Sequence, residues 1–260
     1  MNKNKYLEDF YNTHDEDARF NLSRAHKLEY ITTMHYIHKY AKKRASILEL
    51  GASTGAYSIQ LAKEGYTVTA VELLQNNLDV LIKNSKGLDN LTAHQGNALD
   101  LSKFDDNSFD VVLNLGPMYH LYTEKDRLKA IKESIRVCKP NGIIFFAYIT
   151  CSDVILYGGF MHHEIFDLLP RIDKRGTIKP APEHIFGSYF IEDFEKQFKK
   201  LPVTHLKNVS ADGIALKIAE KIEEMSDDEF KLFNDWHLST CERLDHQGLS
   251  SHMLYICRKN

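Results

Sequence analysis

The amino-acid sequence predicts an α/β fold in which buried strands alternate with amphipathic helices, and two stretches carry that reading. An apolar run, Ser46–Leu50, breaks at Gly51 and Gly55 and passes into the helix-period residues Ile59, Leu61 and Ala62, which reads as buried strand, tight loop and helix. A β-branched run, Tyr66–Val71, then ends in Glu72, about 20 residues beyond the first glycine. Composition agrees, because 260 residues that are 43% hydrophobic and 27% charged can bury a sizeable core.

Taken in order, the chain begins with a polar and aromatic segment containing Tyr6, Phe10, Tyr11, Asp15, Glu16, Arg19 and Phe20. It reads either as a flap folded over a ligand or as a chain end with a few packed aromatics. From about Ala25 to Tyr40, the residues Leu28, Ile31, Met34, Tyr36 and Ile37 fall close to helical spacing and lay an apolar stripe on the core. The strand and glycine loop follow. Glycine allows positive φ and close approach to the main chain, and a helix N-terminus offers N–H groups, so a nucleotide-like ligand is expected.

The spacing narrows that ligand. A dinucleotide loop reads G-x-G-x-x-G, whereas this one reads Glu49-x-Gly51-x-Ser53-x-Gly55. A strand-end carboxylate gains Coulomb energy beside a cation and loses it beside a pyrophosphate, which counts against a nicotinamide-dependent reductase. Glu72, at the end of the second strand, is placed to accept hydrogen bonds from both hydroxyls of a ribose; its other reading is a residue that merely begins the next helix.

A helix from about Leu74 to Lys86, a strand Leu91–Gln95 and the turn Gly96–Leu101 come next. The strand Phe109–Leu115 then runs into Gly116-Pro117-Met118-Tyr119-His120-Leu121-Tyr122, at the same sheet edge as the glycine loop. Apolar residues at helical spacing from Glu124 to Cys138 stop at Lys139-Pro140-Asn141-Gly142, and the strand Ile143–Ile149 begins at once. Beyond Cys151 lies a long connection to Gly187, of a length that is usually functional. A helix at Ile191–Lys200, strands at Val203–Val209 and Ser251–Cys257, and helices at Gly213–Met225 and Asp227–Leu244 complete the pattern, with Ser226 as a cap.

Several of these motifs together resemble the class I S-adenosylmethionine-dependent methyltransferases over roughly residues 45–150. The glycine loop resembles their Asp/Glu-x-Gly-x-Gly-x-Gly motif, with Ser53 at the middle glycine, where a small side chain reshapes the loop without abolishing binding. Gly96-Asn97-Ala98 stands where Gly-Asp-Ala is common; Asn97 contacts the adenine amine or simply forms the turn. Gly116-Pro117-Met118-Tyr119-His120-Leu121 resembles the Gly-Pro-x-Tyr-His-Leu turn of the UbiE-like small-molecule type, and not the Asn/Asp-Pro-Pro-Tyr signature of base methylation. Lys139–Gly142 matches the late Leu-Lys-Pro-Gly-Gly motif.

The resemblance implies a Rossmann-like seven-stranded, mostly parallel sheet in an α/β/α sandwich, with an antiparallel final strand and helical lid additions. Residues 1–260 form one domain: an N-terminal flap (1–44), a cofactor-binding core (45–150), an acceptor lid (151–187 and 211–246), and remaining core (188–210 and 247–260). It also implies S-adenosylmethionine as cofactor, held by Glu49, Gly51, Ala52, Gly55, Glu72, Leu73, Asn97, Ala98 and Leu115. The acceptor is a small molecule bound by Met118, Tyr122, Tyr148 and Tyr157. His120 is the candidate base, or else a cap for the next helix; Tyr119 orients the acceptor or packs. Methylation of RNA or protein, and a non-catalytic module that binds S-adenosylmethionine, are the alternatives.

A net charge of -3 and short basic clusters, Lys42-Lys43-Arg44 and Lys199-Lys200, argue against a nucleic-acid partner. Four cysteines without C-x-x-C spacing read as free thiols in a reducing cytoplasm. No apolar run approaches the roughly 18–20 residues needed to cross a bilayer. His162-His163 lacks a tight ligand set, so no metal is expected. The expected state is a monomer or homodimer.

Overall fold

A computed structural model describes residues 5–13, 16–19 and 22–260; Asp15 and Phe20 of the N-terminal segment lie outside them. Helix α1 (Lys5–Tyr11) is followed by α2 (Arg24–Tyr40), whose start is fixed by Ser23 accepting the His26 amide proton. Its apolar stripe is buried at Leu28, Met34, Tyr36 and Ile37.

Five strands joined in part by three helices then build the sheet: β1 (Ser46–Leu50), α3 (Ala56–Lys63), β2 (Thr67–Glu72), α4 (Gln75–Asn84), β3 (Leu91–Gln95), β4 (Phe109–Asn114), α5 (Glu124–Val137) and β5 (Cys138–Thr150). Parallel register runs Ile47 to Val68 on one side of β1 and Ile47 to Val111 on the other. Because β1 lies between two neighbours with both faces covered, an almost uninterrupted apolar run is what it requires. The spatial order is β3-β2-β1-β4-β5-β8-β7, so the chain reverses direction of growth between β1 and β4. Crevices of open α/β sheets form there, beyond the carboxyl ends of the strands.

After β5 come α6 (Cys151–Asp153), a π-helical stretch Val154–Met161, α7 (Ile165–Leu168), β6 (Ser188–Tyr189), α8 (Ile191–Lys196) and β7 (Val203–Ser210). Then follow α9 (Ala219–Glu223), α10 (Asp227–Thr240), α11 (Leu244–Gln247) and β8 (His252–Lys259). Strand β8 lies antiparallel to both β5 and β7, with Phe145 opposite Ile256. The count is eight and not seven strands, because Ser188–Tyr189 pairs with Ile149–Thr150 at the end of β5. Two residues are too few for any periodic signal.

Helix α5 stops at Val137, just before Lys139-Pro140-Asn141-Gly142 as expected, but these residues do not form a separate turn. The four residues belong to β5 as an insertion, since β4 advances from Phe109 to Val111 while β5 advances from Cys138 to Ile143. Asn141 takes φ +63°, which lets the extra residues bulge without ending the strand.

Alternation along the strands divides the core. Ile47, Val111, Phe145 and Ala147 meet α2 and α3 through Ile37 and Leu61. Leu48, Val112, Ile144, Phe146 and Tyr148 meet α5 and α8 through Ile131, Ile135 and Phe194. The result is a mostly parallel sheet sandwiched between helices. All four cysteines are buried thiols without disulfides. No described helix is long and apolar enough to cross a membrane.

Candidate functional site

A cavity opens at the carboxyl ends of β1, β2 and β4, walled by the glycine loop, the turn after β4 and the N-terminal segment. Gly51 has φ +71°, and a Cβ there would lie 2.9 Å from Pro117 Cδ and 3.3 Å from Gly116 Cα. Glycine is needed because the loops after β1 and β4 touch. The amides of Gly51 and Ala52 both donate to the Val71 carbonyl, at 2.9 and 3.1 Å, and Gly55 donates to Ala52. Ser53 holds φ +49° and donates its amide to Glu72 Oε2 at 2.8 Å. These four amides are therefore spent inside the protein, unlike the outward N–H groups of a phosphate nest.

Two acids lie beside this loop. Glu49 is 2% exposed and accepts a hydrogen bond from Ser58 Oγ. Burial outweighs that bond and raises its pKa to about 8. Glu72 accepts from Ser53 through one oxygen and from the Leu74 amide, at 2.9 Å, through the other. Each oxygen keeps a second lone pair for a hydroxyl. Burial raises the Glu72 pKa, opposed by those amides. Ser53 Oγ is buried without a hydrogen-bond partner.

Leu73, Asn97, Ala98 and Leu115 also line the cavity. The Asn97 side-chain oxygen accepts from the Leu99 amide at 2.9 Å, so the turn-forming role and a place at the cavity coexist. Gly55 does not line it. With φ +94° and a would-be Cβ 2.9 Å from Leu81 and 3.0 Å from Ile59, Gly55 serves the packing of α3 on α4.

The turn after β4 brings Tyr119, His120 and Tyr122 to the wall. His120 Nδ1 faces the Ile185 carbonyl at 2.8 Å, a partner that can only accept, so Nδ1 carries the proton. Nε2 is 3.0 Å from the hydroxyl of Tyr11, on α1. Burial lowers the His120 pKa to about 4, with Arg19 acting in the same direction and the Ile185 bond against it. The ring is neutral near physiological pH, and Tyr11 donates to Nε2. His120 does not cap α5; Thr123 does, accepting the Asp126 amide at 3.1 Å. The Tyr119 hydroxyl donates to the Leu115 carbonyl at 3.0 Å.

Sequence reasoning assigned no individual role to Tyr11, Glu16, Arg19, Glu29 or Tyr57, all of which line the cavity. For Tyr11, Glu16 and Arg19 the density of aromatic and charged residues before α2 was the available signal; Glu29 in α2 and Tyr57 in α3 carried none. Arg19 pairs with Glu29 at 2.7 Å, and Glu29 lies 3.6 Å from His252 on β8.

Three expected acceptor residues are placed elsewhere. Met118 is fully buried in the core on the α5 side of the sheet. Tyr148 is fully buried on the same face and stacks on Phe194 at 3.9 Å, because strand alternation turns it away from the cavity. Tyr157, in the π-helical stretch, packs edge-on against His162. No described residue of 151–187 or 211–246 lines the cavity, although Ile185 supplies the carbonyl that orients His120. The N-terminal segment is what covers it.

Residues 48–146 match the family model of a methyltransferase domain. The chain is 34% identical over 116 residues to a glycine/sarcosine N-methyltransferase of Parasynechococcus marenigrum, covering 44% of this chain and 41% of that protein. It is 35% identical over 106 residues to a demethylmenaquinone methyltransferase of Staphylococcus aureus, covering 40% and 42%. The chain thus spans about two fifths of the length of these relatives. A crystal structure of a SAM-dependent methyltransferase from Methanosarcina mazei superposes with a TM-score of 0.59 at 19% identity, over 86% of this chain and 96% of that one.

Proposed function

We propose that this chain is a class I S-adenosylmethionine-dependent methyltransferase that transfers a methyl group to a small-molecule acceptor, a reading supported by the match to a methyltransferase domain and by the methyltransferases it resembles. The observation that carries this reading is the glycine loop, whose amides at 51, 52, 53 and 55 are internally bonded while the buried Glu49 stands beside them. Such a loop suits a cationic ligand and offers little to a pyrophosphate. The two curated relatives are named for different acceptors, glycine or sarcosine in one and demethylmenaquinone in the other, so what they have in common is methyl transfer.

When bound, S-adenosylmethionine supplies a methyl group on a sulfonium, open to in-line displacement. The chain's part is to hold and align. Glu72 holds the two ribose hydroxyls with the lone pairs its backbone partners leave over. Leu73, Ala98 and Leu115 flank the adenine, and Asn97 meets its polar edge. Glu49, ionised by a nearby cation, faces the amino and sulfonium charges. Tyr11, Tyr119 and His120 form the wall from which the acceptor is aligned, a contribution of several kcal/mol when reacting atoms are held about 3–3.5 Å apart.

The test is a calorimetric titration with S-adenosylmethionine, S-adenosylhomocysteine and NADH. Micromolar binding of the first two alone is expected, and binding of NADH alone would sink the reading. E72A should weaken S-adenosylhomocysteine binding by at least about 1 kcal/mol through lost hydroxyl partners; unchanged affinity would remove Glu72 from the ribose.

A further inference from the structure

The hydrogen-bond polarity of the cavity wall says what kind of acceptor it is built for. The Tyr11 hydroxyl donates its hydrogen bond to His120 Nε2, and the Tyr119 hydroxyl donates its own to the Leu115 carbonyl. Tyr11 and Tyr119 both line the cavity, and each phenolic oxygen is left with lone pairs only. His120 has no donor left for a ligand either, because its single N–H is spent on the Ile185 carbonyl. The acids Glu16 and Glu29 line the same end, and ionised carboxylates only accept. Arg19 is the one Lys or Arg side chain among the described lining residues, and its charge is balanced by Glu29 at 2.7 Å.

We propose that the methyl acceptor is an amine, recognised through its N–H groups by the lone pairs of Tyr11 and Tyr119. This rests on the methyltransferase reading and specifies its acceptor. An amine meets this wall with donors and, when protonated, with charge. A carbonyl or ether oxygen placed at these two phenolic oxygens would bring acceptor against acceptor, at a cost of about 1–3 kcal/mol for each buried group left unpaired. Aromatic walls also suit ammonium groups; Tyr57 adds one, backed by Tyr30 at 5.1 Å between ring centres. Neutral His120 adds no repulsion.

The step balances simply. The bound ammonium loses one proton to solvent, and the freed nitrogen lone pair forms the new N–C bond. The C–S bond breaks with its electron pair going to sulfur, leaving a methylated ammonium and a neutral thioether. Tyr11 and Tyr119 hold the two remaining N–H groups, so the lone pair is left to point at the methyl carbon.

The experiment uses S-adenosylmethionine carrying a 13C-methyl group, the full-length protein, and matched pairs of amine and hydroxyl compounds: glycine and glycolate, putrescine and 1,4-butanediol, phenethylamine and phenethyl alcohol. A bacterial small-molecule extract is added as a fourth acceptor pool. The 13C shift identifies the atom that receives the label. The expected result is nitrogen-bound label only, with Y11F and Y119F each lowering kcat/KM for the amine at least tenfold while S-adenosylhomocysteine affinity stays within twofold of wild type. Melting curves confirm that both variants fold. Label on oxygen, sulfur or carbon alone, or no label from any pool, with S-adenosylhomocysteine still bound, overturns the amine and leaves the cofactor assignment standing. Amine turnover unaffected by both substitutions overturns the recognition. Failure to bind S-adenosylhomocysteine removes the methyltransferase reading and the amine with it.

Discussion

Glu49 and Ser53 show how single residues in one loop answer to different demands. The folded pKa of Glu49, about 8, lies above its unfolded value of 4.5. Between those values the folded chain keeps a proton that the unfolded chain has released, so this group's contribution to stability falls as pH rises through the window and levels off above about 8. E49Q should therefore melt with a flatter pH profile across that range and at a higher temperature above pH 8. Binding of a cation should ionise Glu49 and release a proton, seen as a buffer-dependent binding enthalpy below pH 8; E49Q should lose that dependence along with affinity. Ser53 is a conformational compromise at φ +49° with a buried, unpartnered hydroxyl. Left-handed backbone costs an L-residue roughly 1–2 kcal/mol, partly offset by the lower chain entropy of serine. S53G should gain about 1 kcal/mol, a rise of roughly 2–4 °C for a chain of this size, with cofactor affinity retained. A lower melting temperature would mean that serine packing outweighs the strain.

Helices α3 and α4 depend on Gly55 for contact, not on any ligand. G55A forces a positive φ of +94° on alanine and drives its Cβ to 2.9 Å from Leu81. It should destabilise by about 1–3 kcal/mol in chemical denaturation. Equal stability with weaker cofactor binding would return Gly55 to the site. At this scale the sequence was most legible where burial is strongest. Strands β1, β4 and β5 carry near-continuous apolar runs because both faces of the sheet are covered, and the order of motifs along the chain located the cavity edge. Lys139–Gly142 misled because a turn motif is a local signal, whereas the bulge is set by pairing with β4. Tyr148 misled for a related reason: the strand was recognisable, but which side chains face the cavity depends on the register of a long buried strand with no polar alternation. The Tyr11–His120 contact joins residues 109 positions apart, and no period or motif in either segment encodes it.

Across the whole molecule, a row of partly buried charges ending at the buried Asp212 ties the N-terminal segment to the far end of the sheet. Arg19 pairs with Glu29 on α2 at 2.7 Å, Glu29 lies 3.6 Å from His252 on β8, and His252 Nδ1 is 2.7 Å from Asp212 beyond β7. Asp212 also accepts from Ser250 Oγ and from the Ser251 and His252 amides. Burial pulls the His252 pKa down, but Glu29 and Asp212 outweigh it and hold it above 6.5, with Arg19 opposing them. His252 therefore contributes stability that is full below 6.5 and is lost as pH rises through its folded value. Burial works against ionised Asp212 too, yet His252, Ser250 and Lys217 hold its pKa below 3.8. Its contribution is present above 3.8 and is lost as pH falls through the folded value. The two windows overlap between 3.8 and 6.5. D212N leaves a partly buried imidazolium with one carboxylate fewer; removing one partner of a fully buried pair costs about 3–5 kcal/mol, and the partial exposure of His252 brings the expected loss below that range. The loss should be largest inside that overlap and should shrink at alkaline pH, where His252 is neutral. Denaturant titrations at both ends of the range would separate this from simple misfit, because a deficit independent of pH would mean that Asp212 acts only as a hydrogen-bond acceptor for the turn between Ser250 and His252. The row ends at Arg19 on the cavity wall. D212N should therefore also loosen the N-terminal cover, measured as faster amide exchange at Tyr11 and Arg19 within the same pH window.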